Sequence, residues 1–230
     1  MKADRWLALD GLRALAVLFV CGFHFGAPFA TGGYLGVDLF FVISGCVVTT
    51  SMLRAIDSQH SLPQFLWRRV ARLFPNLLLL LAAALLINLW RDGALATAHN
   101  AALLKQLVQI YDFSLEPDIP TPHLWSLSVE EQFYALWPLL LLGLLWWSAR
   151  RCSPTRMLAV AVASMTAIGL AWTLVESSRN PLRAYYATDA RAYQLLLGAL
   201  LALAVRSRWW RQWPAWWGNA AVVVSLTAFA

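Results

Sequence analysis

The sequence predicts an all-α protein, a polytopic bundle of transmembrane helices with about seven spans. Three observations carry that expectation. Of 230 residues, 60% are hydrophobic and only 13% charged, and the mean hydropathy is +0.59, which is too apolar for a soluble domain of this length. The apolar residues fall in runs close to the roughly 20 that a hydrocarbon layer requires. The basic residues gather at the ends of those runs, on alternate sides.

The spans run from Leu9 to Phe29, Tyr34 to Leu53, Leu73 to Trp90, Leu124 to Trp147, Met157 to Val175, Ala187 to Val205 and Pro214 to Ala230. Lys2, Arg5, Arg54, Arg68, Arg69, Arg72 and the arginines of 150–156 and 206–211 lie on one side of such a bundle; Arg91, Lys105, Arg179 and Arg183 lie on the other. The positive-inside rule therefore predicts a cytoplasmic N-terminus in a multi-pass chain. A secretory signal in the first thirty residues is rejected, because Asp10, Arg13 and His24 interrupt the run and Gly32-Gly33 leads into another apolar segment. Residues 91–122 form an outer loop, read equally as a membrane-surface segment or a plain connector. Thirteen tryptophans suit the headgroup interface. The net charge of +6 is accounted for by topology, so nucleic-acid binding is set aside. Cys21, Cys46 and Cys152 offer no disulfide framework and read as packing residues.

The chemistry lies in polar exceptions within the apolar spans. Ionisable groups at membrane depth are costly unless they face a partner or a wet cavity, so each is a site candidate by default. Eleven residues separate Arg13 from His24, three turns plus about 20°, which puts both on one helix face about 16 Å apart; Asp10 shares that stripe. Asp38 follows the glycines of GGYLGVDLFFVISG, where Gly32, Gly33, Gly36 and Gly45 permit close helix approach. In HLWSLSVEEQFY, Ser126, Glu130 and Tyr134 recur every four residues and form one polar stripe. Glu130 and His24 come to similar depth on helices of opposite direction, the arrangement that a general base and an orienting acid require. A buried neutral histidine is the competing account of His24. For Asp38, a structural pairing with Arg13, a helix cap and catalysis are equally open. His123 is open between acceptor contact and capping, and His60 and His99 have no evident partner.

LDGLRALAVLFVCGFH, GGYLGVDLFFVISG, RRVARLFP, HLWSLSVEEQFYALWP and TDARAYQLLLGALLAL, in that order across about residues 8 to 205, resemble the acyltransferase family 3 proteins of bacteria. The resemblance implies a multispanning inner-membrane enzyme that moves an acyl group, commonly acetyl, from cytoplasmic acyl-CoA to a hydroxyl of an extracytoplasmic carbohydrate, such as an envelope polysaccharide or its lipid-linked precursor. The family pattern places a catalytic set on Arg13, His24 and Glu130 and acyl-CoA contacts on Arg69 and Arg72. His24 is then the expected base, Glu130 its orienting or charge-stabilising partner, and Arg13 the attractor of the thioester oxygen. Asp10, Asp38, His123, Ser126, Tyr134 and Arg191 are supporting or acceptor-side candidates. No bound cofactor and no metal are expected, acyl-CoA being a substrate. For Arg69 and Arg72 a plain basic loop is the alternative, although guanidinium forks suit the phosphates of CoA.

This sequence departs from the family pattern twice. Family members carry about ten spans, so residues 1–230 are expected to be a single domain incomplete at its C-terminus. Gln194 stands where the family often has a glutamate. Two other functional classes remain in view: a transporter or channel, since facing polar stripes also build proton relays, and an inactive truncated remnant.

Overall fold

The computed structural model describes residues 7–28, 30–58, 62–92, 124–150 and 153–207. These residues form helices and their connections, with no strand among them. We number the helices α1 (Leu7–His24), α2 (Leu35–Asp57), α3 (Leu62–Asp92), α4 (Leu124–Ala149), α5 (Pro154–Arg179), α6 (Pro181–Tyr186) and α7 (Thr188–Arg206). Four segments are long and apolar enough to cross a membrane: Leu35–Asp57, Trp125–Ala149, Pro154–Arg179 and Pro181–Arg206. The protein is a multi-pass, all-α membrane bundle. The expected span from Pro214 to Ala230 and the loop of residues 93–123 lie outside the described residues.

The first helix ends five residues before the expected Phe29. Gly26 takes φ 70°, a left-handed conformation that favours glycine. Its N–H donates to the Phe23 carbonyl at 3.1 Å, and the Ala27 N–H donates to the Gly22 carbonyl at 2.8 Å. This 5→2 and 6→1 pair is the Schellman motif, which uses the last carbonyls of a helix and turns the chain away. His24 is thereby fixed as the last residue of α1.

The third helix starts eleven residues earlier than the expected Leu73. Pro63 sits in its first turn, where a missing N–H costs nothing, and Pro75 is carried within the helix. Arg68, Arg69 and Arg72 therefore stand on a helix and not in a loop. At 1.5 Å per residue its 31 residues reach about 46 Å, beyond the hydrocarbon layer; the apolar part, Leu77–Ile87, is shorter than a span.

Packing centres on α2 and α7, with α5 on the far side of α7, α1 on the far side of α2, and α4 touching α2, α5 and α7. Glycine permits the two closest approaches of α2. A Cβ at Gly36 would stand 2.7 Å from the Ala16 carbonyl oxygen of α1, and one at Gly45 would collide with the Leu195 backbone of α7. Nine residues span two and a half turns, so these glycines lie on opposite faces and α2 is held between two neighbours. Gly198 of α7 returns the contact, its missing Cβ leaving room for the Val42 carbonyl and the Cys46 N–H.

The core fills the space these contacts define, with Phe41, Val48 and Met52 from α2, Val129, Phe133, Trp137 and Leu141 from α4, Leu158 and Val162 from α5, and Leu195, Ala199 and Leu203 from α7. Trp137 is 1% exposed and donates its indole N–H to Thr49 Oγ1 at 2.9 Å, so its one polar atom is satisfied. A smaller cluster of Leu77, Leu81 and Ala84 attaches the later part of α3 to Leu127. Large apolar side chains such as Leu18, Leu79 and Ile168 point outward, as expected where the solvent is lipid.

Ion pairs close both ends of α7. Asp57 and Arg206 form a two-fork bridge at 2.7 and 3.0 Å at one end. At the other, Arg183 bridges Glu176 at 3.2 Å and Asp189 at 2.8 Å, and the Trp172 indole donates to Asp189 at 2.9 Å. We call these the Asp57 end and the His24 end.

Gly198→Ala should lower the thermal midpoint of the purified protein, since the added methyl meets backbone and not a side chain that can rotate away. Overpacking of this kind costs about 1–3 kcal/mol. Gly143→Ala, where nothing lies within 4 Å, is the matched control and should be neutral or stabilising.

Candidate active site

Glu130 occupies the second turn of α4, and its carboxylate is held at both oxygens. Ser44 Oγ of α2 donates to Oε1 at 2.7 Å, and the Tyr134 hydroxyl, one turn along α4, donates to Oε2 at 2.8 Å. The four-residue spacing supplies the second bond directly. The first depends on the α2–α4 packing that brings Ser44, 4% exposed, to the stripe. Two cations exert their charge on this carboxylate, Arg13 from α1 and Arg69 from α3. One carboxylate thus gathers groups from four helices.

His24 and Glu130 line the same cavity of about 360 Å³ at the His24 end, together with Val20, Phe41, Trp125, Ser126, Tyr185 and Tyr186. The expected similarity of depth between His24 and Glu130 is thus met in the fold. Their expected direct pairing is not. The ring of His24 accommodates the Val20 carbonyl at Nδ1, 2.8 Å away and one turn back, while both oxygens of Glu130 are engaged elsewhere. Helix backbone, not the carboxylate, orients the imidazole. With Nδ1 donating to that carbonyl, Nε2 carries the free lone pair.

A second cavity, of about 300 Å³, lies between α3 and α4 and is lined by Leu66, Arg69, Val70, Phe74, Glu131, Tyr134 and Ala135. The Arg69 guanidinium sits over the Tyr134 ring at 5.1 Å and over Phe65 at 5.5 Å. This is inward placement, toward the carboxylate site and on the wall of the α3–α4 cavity. The Arg72 side chain and His123 lie outside the described residues. The two cavities share no lining residue and meet across the Tyr134–Glu130 hydrogen bond.

Asp38 pairs with Arg191 and not with Arg13. Arg191 Nη1 donates to Asp38 Oδ1 at 2.9 Å, its Nε donates to the Tyr185 carbonyl at 2.7 Å, and its guanidinium lies 4.6 Å from the Tyr185 ring centroid. Gln194, one turn along α7 from Ala190, donates its Nε2 to the Tyr193 hydroxyl at 3.3 Å. The glutamine is 3% exposed and its Oε1 is without a partner among the described residues. Arg13 instead stands 3.9 Å from Asp10, the pair that their three-residue spacing allows.

Sequence reasoning missed Ser44 as a partner of Glu130, and Glu131, Tyr185 and Tyr186 as cavity walls. Ser44 had a signal, a hydroxyl beside a glycine in an apolar run; the tyrosine doublet had none, because only the turn between α6 and α7 brings it over Trp125, at centroid distances of 5.1 and 5.2 Å.

Residues 6–230 match the family model described as an acyltransferase domain. The chain is 34% identical over 211 residues to the peptidoglycan O-acetyltransferase OatA of Listeria monocytogenes, covering 85% of this chain and 33% of that protein. It is 35% identical over 219 residues to the O-acetyltransferase OatA of Staphylococcus aureus, covering 88% of this chain and 35% of the relative. The chain therefore spans about a third of the length of these curated relatives. No solved structure matches it.

The Asp38–Arg191 pair should behave as one unit. In a double-mutant cycle of Asp38→Asn and Arg191→Met, followed by thermal unfolding, the coupling should fall within about 0.5–3 kcal/mol, the range for residues in direct contact. Arg191→Met alone should be the worst variant, since it removes the donors to both Asp38 and the Tyr185 carbonyl.

Proposed function

This chain belongs to acyltransferase family 3, and from that premise we propose that it is a membrane-embedded O-acyltransferase, moving an acetyl group from cytoplasmic acyl-CoA to a hydroxyl of an envelope carbohydrate. The names of its relatives make peptidoglycan or its lipid-linked precursor the preferred acceptor. The observation that carries the reading is the shared cavity, in which a histidine with a free Nε2 faces the space bounded by Glu130, Ser126 and five aromatic rings. Aromatic side chains offer apolar faces with polar edges, a surface suited to a sugar ring.

In this mechanism His24 Nε2 takes the proton of an acceptor hydroxyl as its oxygen attacks the thioester carbonyl; the carbon–sulfur bond breaks, and CoA leaves as its thiol once reprotonated. Negative charge grows on the carbonyl oxygen during attack. Arg13 and Arg69, the cations whose charge reaches Glu130, are the groups placed to oppose it. Glu130 balances those cations in the resting state and holds Tyr134 and Ser44 in place. The Asp57 end faces the cytoplasm and the His24 end faces outward across the inner membrane, so donor and acceptor arrive from opposite sides.

Acetylation of envelope glycan, measured by mass spectrometry in cells making the protein, tests the reading. Positioned proton transfer is worth about a hundredfold to ten-thousandfold, so His24→Ala should bring acetylation below detection and Glu130→Gln should reduce it strongly. Unchanged acetylation in His24→Ala would refute the mechanism, and none in the wild type would refute the activity. Topology has its own check: Ser58→Cys, in an otherwise cysteine-free chain, should stay unlabelled by an impermeant thiol reagent added outside intact cells.

A further inference from the structure

The cavity between α3 and α4 has an unusual wall. Leu66, Val70 and Phe74 make it apolar, yet Glu131 also lines it, and the Oε1 of that side chain is buried without a hydrogen-bond partner among the described residues. Buried polar atoms are nearly always satisfied, so an acceptor left unmet beside a cavity points to a donor brought by a ligand. A lipid tail supplies no donor. A phosphate is a poor match too, because the acceptor is a carboxylate. The volume of about 300 Å³ is at the low end of small-molecule pockets, which range over roughly 300–1,000 Å³. The ligand is therefore slim, mostly apolar and equipped with an N–H.

We propose that this cavity holds the amide-bearing thioester arm of the acyl donor, with Glu131 Oε1 accepting a hydrogen bond from an amide N–H of that arm. The inference rests on the acyl-CoA reading of the donor, and it adds a binding residue and a position to it. The nucleotide and its phosphates stay outside, toward the Asp57 end. The acyl end comes to rest against Tyr134, whose hydroxyl is bonded to Glu130 on the wall of the His24 cavity. Arg69, over the Tyr134 ring, is then beside the thioester carbonyl.

Two probes separate the arm from the nucleotide: acetyl-CoA, and 3′-phosphoadenosine 5′-diphosphate, which carries the phosphates and no arm. Both are titrated into the purified protein in nanodiscs. Glu131→Leu should weaken acetyl-CoA about tenfold, the worth of one buried hydrogen bond to a charged group, and leave the nucleotide unchanged. Glu131→Gln keeps a carbonyl acceptor and should stay within about threefold of wild type for both. Equal effects of Glu131→Leu on the two probes, or none on either, would overturn the inference, as would wild-type protein that holds both with the same affinity. Wild-type protein that binds neither probe would instead defeat the donor reading itself. Should Glu131→Leu fail to fold, the wild-type comparison of the two probes and the glutamine variant still decide.

Discussion

The contact of α2 with α7, made through Gly45 and Gly198, is the constraint on which the site depends. Within a membrane no hydrophobic force draws helices together, so close backbone approach and dispersion contact carry the association. Missing side chains at these two positions let backbone meet backbone. Everything polar on α2 is then placed by that contact: Asp38 comes to Arg191 of α7, and Ser44, beside Gly45, is left facing α4 and Glu130. Gly36, on the opposite face, brings α1 close enough for His24 to line the Glu130 cavity and for Arg13 to exert its charge on that carboxylate.

Two charge centres result, and they do different things. Asp38 and Arg191 form a one-to-one pair in which the Arg191 Nε donates to the Tyr185 backbone carbonyl, an arrangement that ties α2 to α7 and to the α6–α7 turn. Glu130 is one carboxylate under two cations, with neutral donors on both oxygens. The first centre is closed by its own partners. The second leaves Glu130 and Arg69 on cavity walls, where an incoming group can meet them.

Much of this was legible in the sequence. The all-α membrane class, the identity of the polar exceptions and the shared depth of His24 and Glu130 follow from composition, helical period and span direction. The positions that misled were those where a single backbone feature or a tertiary partner decided the outcome. Gly26 cut the first helix short by a capping motif that the apolar run concealed. Pro75, a helix breaker by default, was accommodated, and so the basic RRVAR segment became helix with Arg69 turned inward. Asp38 had several basic residues within possible reach, and only the α2–α7 crossing selects Arg191, 153 residues away in sequence.

The Tyr134–Glu130 hydrogen bond has a consequence for the cell beyond chemistry. Two hollows that share a wall inside a membrane protein are, geometrically, part of a pore. Here they are kept apart by one hydroxyl and one carboxylate on adjacent turns of a single helix. A barrier of that kind can let reactive groups approach within bonding distance while denying ions and bulk water a through-route. A membrane that stores energy as an ion gradient can therefore host such a protein in many copies without discharging.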